Sequence, residues 1–154
     1  MEIIRADLSY LPEIARLFDQ YRQFYQCPAD LPLAVEFIHQ RLKNRESVIF
    51  LARDEQGNGL GFTQLYPSFC SVEAIKIYIL YDLYVDDSAR KLGVGKALIE
   101  TASEYAQKNG GGRIDLLTAK DNIPGQSLYE KLGYCRTNKD FYAYSLNLQT
   151  VFEA

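Results

Sequence analysis

Two glycines and a group of basic residues mark the segment best suited to bind an anion. Gly93 and Gly95 follow Arg90 with the spacing Arg-x-x-Gly-x-Gly, and Lys91 and Lys96 add positive charge. Glycine lets the backbone approach a ligand closely and adopt positive φ. An amphipathic stretch follows, and the first turn of a helix offers unpaired N–H groups at the positive end of its dipole. The segment therefore predicts an anion site, of which pyrophosphate is a common occupant.

Two well-known phosphate-binding motifs do not fit this segment. A P-loop requires glycine where the chain has Arg90 and a hydroxyl group where it has Ala97. A dinucleotide-binding fingerprint requires a third glycine or alanine where the chain has Leu98. The remaining interpretations are a different phosphate loop, or a glycine-rich turn between a strand and a helix that binds no ligand.

A second segment, residues 122–134, reads Asn-Ile-Pro-Gly-Gln-Ser-Leu-Tyr-Glu-Lys-Leu-Gly-Tyr. Asn122 and Tyr129 are seven residues apart, which is about two helical turns and places both side chains on one helix face. Together, the two segments resemble the two signature motifs of the GCN5-related N-acetyltransferase (GNAT) family. The second motif departs from that pattern at Gly125, where the family usually has alanine, and at the neighbouring Pro124.

The resemblance implies an acetyl-CoA-dependent N-acetyltransferase. In such a reaction a neutral amine attacks the thioester carbonyl, the oxyanion needs hydrogen-bond donors, and the departing thiolate needs a proton. The resemblance assigns that proton to Tyr129, which is protonated at neutral pH but could instead only pack its helix onto the sheet. Asn122 either binds acetyl-CoA or only caps its helix. The residues expected to contact acetyl-CoA, some through the main chain alone, are Leu83, Tyr84, Val85, Arg90, Lys91, Leu92, Gly93, Val94, Gly95, Lys96, Asn122 and Tyr129.

The general base is less clear from the resemblance. Some family members carry a glutamate at the position of Ile79, on the strand before the loop. Asp82 is the carboxylate of this strand close to the expected centre, so we expect it to act as the base or to position a reacting group. Alternatively, it is a polar residue that hydrogen-bonds the main chain, and ordered water takes the proton. His39 is expected to lie far from the centre.

The acceptor is expected to be a primary amine of a small molecule, such as a polyamine or an amino acid. An aromatic wall could receive its cation by cation–π contact, although these residues could also be ordinary core. The resemblance places acceptor specificity in the first helices and the loop after the third strand, where the aromatic residues are Tyr21, Phe24, Tyr25, Tyr66 and Phe69. Protein lysine acetylation, or a CoA-binding module without catalysis, are the alternatives.

The elements that position these residues follow from hydrophobic periodicity and turn signals. Ser9 is the expected cap of the first helix, residues 54–59 the first hairpin turn, Pro67 the end of the third strand, and 68–73 a loop. The pattern predicts an α/β fold with a mixed sheet, in the order βαα-βββ-α-β-α-ββ, which is also the order of the GNAT family. Strands are predicted at 2–6, 47–52, 60–66, 74–85, 113–118, 135–137 and 141–148, and helices at 10–26, 31–44, from Val94 to the glycines at 110–112, and at 122–132.

Composition limits the classes of function. The chain has 154 residues, of which 47% are hydrophobic and 24% charged, as in a folded globular protein, and we expect one domain over residues 1–154. A net charge of −3 argues against nucleic acid as a partner and is compatible with a cationic substrate. Three widely spaced cysteines indicate neither a disulfide framework nor a zinc site, and no metal is expected.

Targeting signals are not apparent in the sequence. No run of about 18 apolar residues predicts a membrane span, and the N-terminus lacks the pattern of a signal peptide. We therefore expect a cytoplasmic protein with no membrane partner. A homodimer is expected from the family resemblance alone. The last residues are expected to fray.

Overall fold

A computed structural model describes residues 1–149 of the chain. Two compact units are present, Met1–Ala119 and Lys120–Ala154. The mixed α/β class is confirmed. The elements within residues 1–149 are β1 (Glu2–Arg5), α1 (Leu11–Phe24), α2 (Leu31–Lys43), β2 (Val48–Arg53), β3 (Gly59–Cys70), β4 (Ile75–Val85), α3 (Val94–Lys108), β5 (Ile114–Asp115) and α4 (Ile123–Lys131). In this range no helix is long and apolar enough to cross a membrane.

The sheet of the first unit has the order β1-β2-β3-β4-β5. The first four strands are antiparallel neighbours, and β4 pairs with β5 in parallel. This parallel pairing is short, because it joins Tyr78 to Ile114 and Ile79 to Asp115 and then stops. From Leu80 onward, β4 therefore has an edge that no other strand of the described chain covers.

A β-bulge lies next to this uncovered edge. Gln64 on β3 faces Asp82 on β4, but the next residue, Leu65, faces Leu80, so Tyr81 has no partner across the pair. A bulge bends its strand and changes the direction of the side chains around it. The sequence pattern of β4 gave no indication of this irregularity.

One part of the core lies between the sheet and the first two helices, and α3 also packs against β2, β3 and β4. Apolar residues at helical spacing on α1, such as Ile14, Leu17 and Phe18, pack with Ile38 of α2 and with Phe62 of β3. Burying each such side chain contributes about 1.5–3 kcal/mol. The prediction that the second strand is buried on both faces is confirmed, since five of the six residues of β2 are buried. This packing fixes α1 against β3 and β4.

The start of α1 differs from the prediction. Ser9 does not cap this helix. Instead, Asp7 accepts a hydrogen bond of 2.9 Å from the main-chain N–H of Ser9 and caps a short 3₁₀ turn, Leu8–Tyr10. Asp7 precedes Ser9 by two residues, so the segment that it caps is the 3₁₀ turn. The helix α1 follows this turn and begins at Leu11.

The prediction that the third strand ends at Pro67 is wrong. β3 continues to Cys70, so the loop predicted at 68–73 is reduced to a turn at residues 71–74. The pairing of β2 with β3 ends at Leu65. Pro67 therefore lies where β3 pairs with β4 alone, and its missing N–H deprives no second neighbour of a hydrogen bond.

The predicted strands after α3 are also corrected. β5 covers 114–115 instead of 113–118, and residues 135–149 contain no strand. Tyr142, Tyr144, Leu146 and Leu148 alternate as in a half-buried strand, but their side chains are exposed. Alternation produces a strand only where a neighbouring edge takes its main-chain hydrogen bonds, and none of the described strands pairs with this segment. The fraying expected for the last residues concerns 150–154, which lie outside the described range.

Candidate active site

An aromatic cleft lies beside the uncovered part of β4, next to the end of α1. Its volume is about 420 Å³, which is within the usual range for small-molecule sites. The packing of α1 against the bulged strand brings its wall together from elements far apart in the sequence. The aromatic residues of this wall are Phe18, Tyr21, Tyr25, Phe37, Tyr66 and Tyr81.

Asp82 is the carboxylate that lines this cleft, and it is held by buried polar groups. The amide Nε2 of Gln64 donates a hydrogen bond of 2.6 Å to its Oδ2. The hydroxyl of Ser47 donates to Oε1 of Gln64 at 2.7 Å, which fixes the orientation of that amide. The hydroxyl of Thr63 donates to the main-chain carbonyl of Asp82 at 2.8 Å. Since Asp82 is 4% exposed, these contacts leave little freedom to its side chain.

The surroundings of Asp82 change its acidity. Burial raises the pKa of this carboxyl group above its ordinary value of 3.8, and hydrogen bonds from Gln64 and Tyr21 partly oppose the rise. The hydroxyl of Tyr21 also lies 3.3 Å from the carbonyl oxygen of Tyr81, and its single proton can serve one of the two acceptors at a time. A buried carboxylate with a raised pKa is well suited to accept a proton from a substrate.

Tyr66 remains a neutral phenol at physiological pH. Burial, and then the negative charge of Asp82, raises the pKa of Tyr66 to about 12. Its ring packs edge-on against Tyr81 with centroids 5.6 Å apart. Tyr66 can therefore contribute an apolar face and a hydroxyl donor to the cleft, but it cannot act as a base there.

The structure brings together three of the five aromatic residues that the sequence suggested for the acceptor. Tyr21, Tyr25 and Tyr66 line the cleft, and the rings of Tyr21 and Tyr25 are 5.1 Å apart in an edge-to-face arrangement. Phe24 and Phe69 do not line it and are largely exposed. Phe69 lies on the continued part of β3 instead of in a loop, which takes it away from the cleft.

Several cleft residues were missed by sequence reasoning. Arg22 and Phe37 line the cleft from the two helices, and Gln64 orients Asp82 from β3. Pairing across the bulge places Gln64 opposite Asp82, and this register cannot be read from one sequence. Arg22 follows Tyr21 directly, so its position on the predicted helix was the one indication available. His39 lies on α2 and does not line the cleft.

The loop after β4 has the backbone of an anion site. Lys91 and Gly93 adopt left-handed φ values of +65° and +79°, a conformation that is costly for residues other than glycine. Gly93 caps α3 without a side-chain hydrogen bond, so no side chain from the cap takes up the first N–H groups of the helix. Successive N–H groups in such a turn form a concave anion-binding surface. The main-chain N–H groups of this loop could therefore hold an anionic group.

The side chains of this loop have different surroundings. Leu92 is exposed, whereas the side chain of Val94 is buried, so Val94 can reach a ligand only through its main chain. Lys91 and Lys96 are exposed, and the ammonium group of Lys96 lies 3.9 Å from the carboxylate of Glu100. Gly95 belongs to the first turn of α3.

Arg90 is engaged within its own loop. Its Nε donates a hydrogen bond of 3.1 Å to the carbonyl of Val85, and its Nη1 lies 2.9 Å from Oδ1 of Asp87. The guanidinium carbon is 5.7 Å from the centre of the Tyr84 ring. Arg90 therefore ties the loop to the end of β4.

The main chain of β4 also offers hydrogen-bonding groups. Asp86 N–H donates to the carbonyl of Leu60 at 2.8 Å, next to the paired residues Gly61 and Val85. Hydrogen-bonded and non-hydrogen-bonded pairs alternate in an antiparallel ladder. By that alternation, the main-chain N–H and C=O groups of Tyr84 point toward β3. Those of Leu83 and Val85 point toward the opposite edge of β4, which β5 does not cover.

The second unit contains Asn122 and Tyr129. The side chain of Asn122 accepts a hydrogen bond of 3.2 Å from the N–H of Gly125 and caps α4. A Cβ atom on residue 125 would lie 2.5 Å from Nδ2 of Asn122, so an alanine at this position would require the Asn122 side chain to shift. The ring of Tyr129 packs against that of Tyr134, with centroids 5.9 Å apart.

A mixed sheet whose parallel pair separates beside a cleft and an anion-binding loop defines the class of acyl-CoA-dependent N-acyltransferases. The model of the acetyltransferase (GNAT) family matches residues 12–134, and the chain belongs to this family. Its members are acetyltransferase enzymes, and acetyl-CoA is their typical acetyl donor. Residues 1–149 contain no cluster of three or more His, Cys, Asp or Glu side chains that could hold a metal ion.

Individual proteins agree with this assignment. The chain is 45% identical over 148 residues to an uncharacterized N-acetyltransferase, YhfO, of Bacillus subtilis, covering 96% of this chain and 98% of that protein. It is 26% identical over 114 residues to a probable acetyltransferase of Haemophilus influenzae, covering 74% and 78%. The crystal structure of a probable acetyltransferase superposes with a TM-score of 0.88 at 37% identity, covering 97% and 99%.

Proposed function

We propose that this enzyme transfers the acetyl group of acetyl-CoA to a primary amine of a small molecule. The observation that supports this most directly is the buried carboxylate of Asp82 in an aromatic cleft. The cleft lies beside the part of β4 that has lost its parallel neighbour. Its volume of about 420 Å³ suits a small acceptor. Family membership supports acetyl-CoA as the donor.

In the proposed reaction, Asp82 receives the proton that the attacking amine must lose. The raised pKa of its carboxyl group makes it a stronger base than an ordinary aspartate. The amine nitrogen forms the new C–N bond with the thioester carbon, and the C–S bond breaks. The products are then the acetylated amine, which is an amide, and the thiol of free CoA. The N–H groups of Leu83 and Val85 are the proposed donors to the oxyanion and to the pantetheine arm.

The pyrophosphate is proposed to bind the loop that begins after Asp86. The first N–H groups of α3, around Gly93 and Gly95, are the main donors, and Lys91 and Lys96 contribute positive charge. The main-chain groups of Leu92 and Val94 complete this surface. Arg90 supports the loop through Val85 and Asp87, so its proposed role is to position these donors.

Tyr129 is proposed as the general acid that protonates the departing thiolate. This role rests on the resemblance of the 122–134 segment to the second family motif. A positioned acid contributes about 10²–10⁴ in rate. Asn122 caps α4 and, by the same resemblance, is proposed to hydrogen-bond the donor. Tyr129→Phe should therefore slow turnover without unfolding the protein.

The test is a thiol-release assay with acetyl-CoA over amines, polyamines and amino acids, with lysine-containing peptides in parallel. We expect free CoA to appear with at least one small amine and Tyr129→Phe to be slower. Turnover of peptides alone would contradict the small-molecule acceptor. Stabilisation by acetyl-CoA without turnover of any acceptor would point to a CoA-binding module instead, and no stabilisation at millimolar acetyl-CoA would contradict donor binding.

The domain and assembly are proposed on separate grounds. The family match over residues 12–134 includes parts of both compact units, which supports one functional domain over 1–154. The family resemblance also supports a homodimer. Analytical ultracentrifugation with and without acetyl-CoA tests the dimer, and a monomer at every concentration would contradict it.

A further inference from the structure

Arg22 is a charged residue of the cleft that the proposed reaction does not use. It lies in the last turn of α1, and its side chain lines the cleft beside Tyr21 and Tyr25. Within residues 1–149 its guanidinium has no ion-pair partner, and its Nη1 atom is buried without a hydrogen bond. A buried donor without a partner costs about 1–3 kcal/mol, and more when the group is charged. A bound anion would remove this cost.

Two neighbouring arginines make contacts that Arg22 lacks. Arg16, on the same helix, contacts Glu13, Asp86 and the carbonyl of Gly59. Arg41, on α2, forms an ion pair with Glu46 and lies over the ring of Phe37. Arg22 is set apart from them because it lines the cleft.

The cleft therefore contains two opposite charges that do not neutralise each other. The carboxylate of Asp82 is hydrogen-bonded to Gln64, and no ion pair joins it to Arg22 among the described residues. The rest of the wall is apolar or aromatic: six aromatic rings line it together with Cys27, Ile79, Leu80 and Leu117. A ligand that complements this surface has an amine at Asp82, an apolar or short linking part, and an anionic group at Arg22.

We infer that the acceptor is an aminocarboxylate, such as an amino acid, whose carboxylate binds the guanidinium of Arg22. The inference rests on the proposed function, because it takes the amine to be the group that approaches Asp82. A guanidinium matches a carboxylate with two parallel hydrogen bonds, and lysine cannot reproduce that geometry. A polyamine would leave Arg22 unpaired and would add a second cation beside it.

The experiment uses matched pairs of acceptors that differ in the carboxylate alone, for example phenylalanine with phenethylamine and 5-aminopentanoate with butylamine. With wild-type protein and acetyl-CoA, kcat/KM for the better aminocarboxylate should exceed that of its partner by about ten- to a hundredfold, the range expected for a charge-assisted hydrogen-bonded pair. Arg22→Gln should remove this preference by raising KM for the aminocarboxylate. The readout is the ratio of kcat/KM for the aminocarboxylate to kcat/KM for its partner amine, which should fall toward one in this variant.

Two further variants separate charge from folding. Arg22→Lys keeps the positive charge and should retain part of the preference. Arg45→Gln is the matched control, because Arg45 is exposed and does not line the cleft, so the preference should be unchanged. Melting temperatures show whether each variant folds. If Arg22→Gln does not fold, the wild-type preference and its reduction in Arg22→Lys decide the inference.

The outcomes distinguish the inference from the proposed function. Equal turnover of both members of each pair, or a preference that survives Arg22→Gln, overturns the inference and leaves the acetyltransferase function intact. If no acceptor is acetylated, the proposed function fails, and calorimetric binding of the same pairs to the CoA-bound protein still tests Arg22. Preferential binding of aminocarboxylates that depends on Arg22 then supports the carboxylate site, and equal binding overturns it.

Discussion

The loop after β4 and the cleft beside β4 are attached to the same strand but are built in different ways. The loop is one continuous segment whose proposed binding groups are main-chain N–H groups, and Lys91 and Gly93 give it a left-handed backbone. The cleft is formed by side chains from α1, α2, β3 and β4. A site made of backbone leaves a short sequence motif because glycine is required at fixed positions. A site made of side chains from several elements leaves no such motif.

The largest expected effect is on the cleft alone. Asp82→Asn removes the proposed base but keeps a side chain that can accept the hydrogen bond from Gln64. We expect kcat/KM to fall by about 10²–10⁴, while stabilisation by acetyl-CoA stays unchanged because the loop is intact. Steady-state thiol release and thermal shift measure the two effects. A decrease below about tenfold would assign proton removal to water and leave Asp82 a structural role.

The reciprocal change affects the loop alone. Gly93→Glu places a carboxylate in the proposed pyrophosphate site, and juxtaposed like charges cost several kcal/mol. The affinity for acetyl-CoA should therefore fall by at least about a hundredfold, which calorimetry measures directly.

Gly57→Glu is the matched control for this loop variant. Both glycines have left-handed φ values, +79° for Gly93 and +85° for Gly57, and a Cβ atom on either meets nothing within 4 Å. Both substitutions should therefore cost similar stability through backbone strain. Only the variant at Gly93 should lose acetyl-CoA binding. An equal loss at Gly57 would show that strain, not the anion site, is responsible.

Asp82→Asn, which should lower activity, should raise the stability of the fold at neutral pH. Burial raises the pKa of its carboxyl group in the folded state above the ordinary value of 3.8. The folded protein therefore disfavours the ionised form of Asp82. The contribution of this group to the free energy of unfolding is fully present below the pKa that it has in the unfolded chain. This contribution is lost as the pH rises through the higher pKa of the folded state. Asp82→Asn should be more stable than the wild type at pH 7, and this difference should disappear near pH 3.

Thermal unfolding of both proteins from pH 3 to pH 8 measures this difference. Comparison at each pH cancels the titration of the other carboxylates that the two proteins share, such as Asp54 and Asp86, whose pKa values are lowered by hydrogen bonds. A variant less stable than the wild type at pH 7 would mean that the negative charge strengthens the hydrogen bond from Gln64 by more than its burial costs. The activity of the wild type should decline at low pH as Asp82 becomes protonated.

The sequence predicted much of the fold, and it failed where pairing between distant strands decides the structure. β2, β4 and α3 match their predicted positions closely because each has strong periodicity and clear turn signals. The continuation of β3 through Pro67 depends on where the pairing with β2 ends, and that is not encoded locally. The strand expected at 141–148 has the right alternation but no pairing edge among the described strands.

In the candidate site, too, the residues of one local segment could be predicted, whereas residues brought together by distant elements could not. Gly93, Arg90 and Asp82 could be selected from one strand-loop-helix segment, because their spacing along the chain is also their arrangement in space. Gln64 approaches Asp82 only through the register across the bulge. Arg22 enters the cleft only through the packing of α1 on the sheet. Local motifs therefore predict the proposed donor loop, whereas the proposed acceptor cleft depends on tertiary packing.

The smallest expected effect separates two roles for Arg90. The ion pair between Arg90 and Asp87 is largely exposed, with side-chain exposures of 46% and 83%, and such pairs contribute little. If Arg90 acts by holding the loop to Val85, Arg90→Gln and Asp87→Asn should each weaken acetyl-CoA binding by less than about fivefold. If Arg90 instead contacts the pyrophosphate directly, Arg90→Gln should cost more than about tenfold, and Asp87→Asn should strengthen binding because it frees the guanidinium. Calorimetry at two salt concentrations distinguishes these results, since a direct phosphate contact is also the more sensitive to salt.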